Sequence, residues 1–156
     1  MLPEAAFHQN PVMTILEKLR LGVTTDSAAQ TRALAAGLAV VLPPDTTLAL
    51  HGDMGVGKTT FVQGLARGLG VTEQVTSPTF AIYSVHRGAK CALVHLDAYR
   101  LESEKQVEPL LLEEFLVSPW FLAVEWPEKI GAWLPANALH LTLSIEDGDK
   151  HRVQLR

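Results

Sequence analysis

Residues 46–60 read TTLALHGDMGVGKTT, and this stretch decides the fold. Thr46 to Leu50 is a short apolar run of the kind that forms a buried strand. Straight after it, Gly52 to Thr59 (GDMGVGKT) satisfies G-x-x-x-x-G-K-[ST] at every fixed position. Gly52, Gly55 and Gly57 let the backbone adopt positive φ and approach a ligand closely. Their consecutive N–H groups line a concave anion site, and the helix that follows offers its positive end to the same anion. Lys58 adds an ammonium for the outer phosphates, and the Thr59 hydroxyl is a hard oxygen donor suited to Mg²⁺.

Working outward, Thr59 to Leu69 has the apolar stripe of a helix (Phe61, Val62, Leu65, Ala66, Leu69), closed by Gly70. Upstream, Leu19 to Val23 alternates like a strand. TTDS (24–27) supplies helix-capping residues, and a helix follows to Val41, stopped by Pro43 and Pro44. Downstream, residues 71–80 (VTEQVTSPTF) form a loop. Ala81 to His86 and Cys91 to Leu96 flank RGAK as an antiparallel hairpin. Leu101 to Val117 reads as an amphipathic helix, broken or kinked by Pro109. Phe121 to Val124 is a short buried strand, and Pro127 to Leu134 a short helix or turn. Ala138 to Ile145 and Arg152 to Leu155 make a hairpin around EDGDK. The alternation defines an α/β class: a three-layer P-loop NTPase-like fold with a mixed sheet and a C-terminal β-hairpin. Residues 1–13 read as a poorly ordered extension, and 14–156 as one domain.

Two carboxylates end apolar runs: Asp97 follows Ala92–Leu96, and Glu125 follows Phe121–Val124. Ligands of open α/β sheets bind at the carboxyl ends of strands, so either can reach a cation held at Thr59. Asp97 serves equally as a helix cap. Glu125 is the stronger metal or phosphate-site candidate, because a buried unpaired carboxylate is costly. Thr76, Ser77 and Thr79 lie in a loop that either folds over a γ-phosphate or merely connects. Arg100 has a phosphate, Asp97 or solvent as its partner. Trp126 either covers a bound base or packs. Trp120, Phe121, Trp126 and Trp133 read as a core wall or partner surface.

The 156 residues include 47% apolar and 19% charged, the range of a globular chain and not of a disordered one. The net charge of −4 argues against direct wrapping of nucleic acid through phosphates. The one cysteine, Cys91, permits no internal disulfide, reads as a buried small hydrophobe, and fits a cytoplasmic protein. No stretch reaches the ~20 apolar residues of a membrane span. The histidines show no metal-ligand spacing.

The strings HGDMGVGKTTF (51–61), TSPTF (76–80), HLDAYRL (95–101) and VEWPEKI (124–130), in this order, resemble the TsaE family. The likeness runs from Leu19 to Leu155. It implies an ATP- and Mg²⁺-binding, weakly hydrolysing protein needed for threonylcarbamoyladenosine formation in tRNA. It also implies a partner complex of TsaD and TsaB, with tRNA met only through that complex and neither membrane nor DNA bound. Carried over, Gly52, Asp53, Met54, Gly55, Val56, Gly57 and Lys58 hold the phosphates, and Thr59 and Thr60 complete the cofactor-binding run. Thr59 and Glu125 ligate Mg²⁺. Lys58, Asp97 and Glu125 act on the γ-phosphate, and Thr79 senses it. Ser27, in the segment 25–31, and Trp126 lie near the nucleoside.

The competing reading from the phosphate cradle is a small-molecule kinase. Such enzymes close an arginine-rich lid over two substrates. Here the arginines (Arg20, Arg32, Arg67, Arg87, Arg100, Arg152, Arg156) are scattered. A third reading is a scaffold that binds ATP without turnover, against which Asp97 and Glu125 argue.

Overall fold

The computed structural model describes residues 12–78 and 80–156. In chain order the elements are helix α1 (Ile15–Leu21), strand β1 (Val23–Thr25), helix α2 (Ala28–Val41), strand β2 (Thr46–His51) and helix α3 (Lys58–Gly68). Strands β3 (Tyr83–Arg87) and β4 (Ala92–Asp97) follow, then three 3₁₀ turns between residues 104 and 114. Strand β5 (Trp120–Glu125), a 3₁₀ segment (Pro127–Trp133) and strands β6 (Leu139–Glu146) and β7 (Lys150–Leu155) complete the described elements.

The strands form one seven-stranded sheet in the order β1-β7-β6-β2-β5-β4-β3. β6, β2, β5 and β4 run parallel, while β1–β7, β6–β7 and β3–β4 pair antiparallel. The expected mixed sheet, the 81–96 hairpin and the C-terminal hairpin are therefore all present. Along the central strands the period of two splits the core. Leu93, Phe121 and Ala123 face α1, α2 and α3, whereas Val94, Leu96, Leu122 and Val124 face the 3₁₀ turns. Trp120, Trp126 and Trp133 pack against this second layer, so the tryptophans do form a core wall.

α3 packs on α2 through small residues. A Cβ at Gly64 would lie 2.3 Å from the Arg32 carbonyl oxygen, so only glycine permits this approach. On the sheet side, Phe61 is fully buried, a contribution of about 1.5–3 kcal/mol.

Two expectations are corrected. Leu19 belongs to α1, not to a strand, and β1 begins at Val23. Thr14 caps this helix in a reciprocal box: its Oγ1 accepts from Glu17 N (3.2 Å), and its own N–H donates to Glu17 (2.8 Å). Leu19 faces the core while Leu21 is exposed, so the apparent alternation did not mark a sheet face. The segment 101–117 forms 3₁₀ turns instead of a broken α-helix. Pro109 lacks an N–H, and Leu111 adopts a left-handed backbone (φ 52°), so no continuous ladder forms. Residues 1–11 of the proposed extension, and Thr79, lie outside the described residues. Cys91 is half-buried against the core, and burial pushes its thiol above the usual range. Among the described residues no helix is long and apolar enough to cross a membrane.

Candidate functional site

The loop from Gly52 to Gly57 joins β2 to α3. α3 opens at Gly57, whose φ of 103° places it in the left-handed region, and no side chain caps the helix. The first N–H groups of α3 are thus left for an anion. A Cβ at Gly52 would meet the Leu143 carbonyl oxygen at 2.5 Å, so β6 sets the floor on which the loop turns. At the end of β2, His51 shares a hydrogen bond with His140 of β6 (2.8 Å). Burial, then the charges of Arg156 and His140, hold the His51 pKa below 6.5, against the pull of Glu128.

Next to this loop is a cavity of about 350 Å³, lined by Met54, Gly55, Gly57, Lys58, Thr59, Thr60, Ser77, Asp97, Tyr99, Glu125 and Trp126. β4 and β5 deliver its carboxylates. Asp97 and Glu125 stand opposite each other in parallel register, and Leu50 stands opposite Glu125 on the other side. Both carboxylates share the face of Leu93 and Phe121, the face that α3 covers. The Thr59 hydroxyl lies 3.4 Å from both Glu125 oxygens.

Glu125 is buried and accepts a hydrogen bond from His95 Nε2 at 2.6 Å. His95 is fully buried, and its Nδ1 has no hydrogen-bond partner. The pair fixes the Glu125 carboxylate in place. Asp97 is also buried, and its Oδ1 accepts from the Tyr99 N–H (3.0 Å). No helix starts at Asp97, so it is not a helix cap: one oxygen ties the turn at Tyr99 while the residue lines the cavity.

Lys58 is buried, donates to the Gly52 carbonyl, and has its ammonium 3.6 Å from the centroid of the Trp126 ring. Burial pushes its pKa below the usual lysine range, against the pull of Glu125, Glu128, Asp97 and Asp53. Trp126 holds a left-handed backbone (φ 56°), which costs on the order of 1–3 kcal/mol in a non-glycine residue. That conformation sets its indole against Lys58 and against Tyr99 (5.1 Å between centroids).

The donor set fits a hard cation. Thr59 and Glu125 are oxygen donors facing one another, with Asp97 alongside. Mg²⁺ is ordinarily held by one or two carboxylates together with substrate phosphates and water. Among the described residues no group of three or more His, Cys, Asp or Glu could hold a metal ion. A cation here would arrive with a phosphate ligand.

Of the residues expected at the site, Met54, Gly55, Gly57, Lys58, Thr59, Thr60, Asp97, Glu125 and Trp126 line the cavity. Gly52 contributes its carbonyl to Lys58. Val56 buries its side chain, and Asp53 is exposed and outside the lining. Ser27 also stands outside the lining, where its Oγ caps α2 by accepting from Gln30 N (3.1 Å). Arg100 lies over Phe80 at 4.7 Å, not in the cavity. Sequence reasoning missed Tyr99 and His95. The signal for His95 was a polar residue two positions before Asp97 on a buried strand, hence on the same face. The loop preceding the cavity's Ser77 is anchored by Gln63 Nε2 donating to Val75 O (3.0 Å) and by His86 Nδ1 donating to Glu73 (2.6 Å).

Cradle, strand-end carboxylates and sheet order together define a P-loop NTPase-like α/β protein. Residues 25–154 match the family model "Threonylcarbamoyl adenosine biosynthesis protein TsaE". The chain belongs to the TsaE family. It is 37% identical over 124 residues to the tRNA threonylcarbamoyladenosine biosynthesis protein TsaE of Bacillus subtilis, covering 80% of this chain and 77% of that one. It is 47% identical over 97 residues to the Synechocystis TsaE protein, covering 60% of this chain and 61% of that one. The crystal structure of Bacillus subtilis YdiB superposes with a TM-score of 0.72 at 31% identity, covering 86% of this chain and 82% of that chain.

Proposed function

We propose that this protein binds ATP with Mg²⁺ in the cavity between the glycine loop and Glu125, and hydrolyses it slowly. It acts as an accessory of threonylcarbamoyladenosine formation in tRNA, on a complex of TsaD and TsaB in the cytoplasm, with tRNA met only through that complex. The observation that carries the reading is the convergence on one cavity of Lys58, Thr59, Asp97 and Glu125. The last two are locked in register on neighbouring strands.

The residues divide the work. The free N–H groups at the start of α3 bind phosphate oxygens, and Lys58 exchanges its present partners for the outer phosphates. Thr59 and Glu125 hold the cation, and His95 keeps the carboxylate pointed at it. When bound, Mg²⁺ neutralises the charge that develops on the phosphate oxygens. Asp97, tied at one oxygen to Tyr99, has a second oxygen available to accept a hydrogen bond from water near the γ-phosphate. Slow turnover agrees with the cations on hand: among the described residues lining the cavity, Lys58 is the sole cation. Phosphoryl-transfer enzymes with high rates add an arginine at this point. The same observation weighs against the small-molecule kinase, whose lid would bring arginines over two substrates.

The test is phosphate release from ATP by the purified protein, alone and with TsaD and TsaB. Release is expected to be low alone and to rise several-fold with both partners. Appearance of the phosphate on a metabolite instead would replace this reading with the kinase.

A further inference from the structure

One polar contact to the glycine loop comes from outside the motif. His151 of β7 donates from Nδ1 to the carbonyl oxygen of Val56 at 2.7 Å. A carbonyl only accepts, so the contact requires a proton on Nδ1. The same ring flanks the next residue: a Cβ at Gly57 would lie 3.6 Å from His151 Nδ1. His151 thus touches both halves of the Val56–Gly57 peptide.

The orientation of that peptide matters. In a trans peptide the C=O and the following N–H point to opposite sides. Fixing the Val56 oxygen on His151 therefore aims the Gly57 N–H away from β7, and Gly57 lines the phosphate cavity. The Val56 side chain is held in the core, which anchors its Cβ but not the plane of the peptide that follows. Gly55 has open space around its α-carbon, Gly57 is free of Cβ constraints, and α3 has no side-chain cap. A peptide between a valine and a glycine can rotate at low cost, turning an oxygen toward the anion where a donor is needed. By contrast, the platform under His151 is rigid, because β7 is paired on both sides, with Thr25 of β1 and Ile145 of β6 in register with His151.

We propose that His151 is a positioning residue for the phosphate cradle, holding the Val56–Gly57 peptide with its N–H toward the nucleotide. This rests on the nucleotide-binding reading above. It assigns the terminal hairpin a role in ligand binding that the glycine motif itself does not contain.

The test compares His151→Ala, His151→Gln and His151→Asn in the full chain. Asparagine places an amide N–H where imidazole Nδ1 stands, while glutamine places it one bond further out. Titration with ATP and Mg²⁺ should show affinity falling roughly fivefold to tenfold in the alanine and glutamine variants, as for one lost hydrogen bond. The asparagine variant should stay within about twofold of wild type. Single-turnover hydrolysis at sub-saturating ATP should fall in step with affinity in the alanine and glutamine variants and be restored in the asparagine variant. In the unliganded wild type, ¹⁵N NMR should find the His151 imidazole protonated at Nδ1. Equal affinity in all variants, or a neutral ring protonated only at Nε2, overturns the proposal. So does a loss of melting temperature and active fraction with affinity unchanged, which would make the contact structural. If wild type takes up no ATP while the Nδ1 proton is observed, the nucleotide reading fails and the contact itself stands.

Discussion

Glu125→Ala and Glu125→Gln separate what this carboxylate does for the fold from what it does for a ligand. Glu125 is 4% exposed, and its bond to His95 is 2.6 Å long. The alanine variant strips His95 of that partner, and Nδ1 already has none. An unsatisfied buried donor costs about 1–3 kcal/mol, and the vacated side-chain volume adds to it. Taking about 3 kcal/mol in all, and about 2–4 °C per kcal/mol for a chain of this size, the melting temperature should fall by roughly 6–12 °C. Glutamine keeps an acceptor for His95 and should cost about 1 kcal/mol or less, so it melts within roughly 4 °C of wild type. The ligand arm then reads the cation. ATP with Mg²⁺ at about a hundredfold over Kd stabilises by about 2.7 kcal/mol, or roughly 5–11 °C. In Glu125→Gln the rise with ATP alone should match wild type, and the increment on adding Mg²⁺ should vanish. Differential scanning fluorimetry reads all of these. An alanine variant that melts like wild type refutes the buried pair. A glutamine variant with the full Mg²⁺ increment refutes the metal role.

Lys58→Ala should abolish ATP uptake, a loss of at least a hundredfold by calorimetry, because the cavity loses its lining cation. Gly64→Ala should destabilise by about 1–3 kcal/mol or more in urea unfolding, since its Cβ would sit 2.3 Å from a backbone oxygen of α2. For His51, the folded pKa is held below 6.5, so below about pH 6.5 the unfolded chain takes up a proton that the native state refuses. That contribution is whole above pH 6.5 and is lost as the pH falls through the native pKa. Urea midpoints measured from pH 8 to pH 5 should therefore decline less steeply in His51→Gln than in wild type.

The cradle was legible because it is local: consecutive residues between a strand and a helix make it, so its geometry is written in one string. Asp97 and Glu125 were legible at one remove, through the rule that strand ends carry ligands in parallel sheets. His95 and His151 were not, because their roles depend on register. His95 reaches Glu125 across a strand pairing, and His151 reaches Val56 across 95 residues of sequence. The misread segments failed for definite physical reasons. Leu19 to Val23 alternates as a strand does, but the Thr14–Glu17 box starts a helix before the alternation begins. Residues 101–117 carry a helical apolar pattern, and once Pro109 interrupts the ladder 3₁₀ turns present Leu110, Leu112 and Leu116 to the sheet while Leu111 turns outward.

The placement of β7 has a consequence for the order of events at the ribosome. Among the described residues β1 finds its sheet partner only in β7, and the Val56 carbonyl finds its donor there too. A nascent chain that has emerged only as far as residue 145 carries the glycine loop, Lys58 and both carboxylates, yet it lacks the strand that joins β1 to the rest of the sheet. Competence to grip a nucleotide is thus expected to appear only with the emergence of residues 150–155, and not when the motif itself clears the exit tunnel.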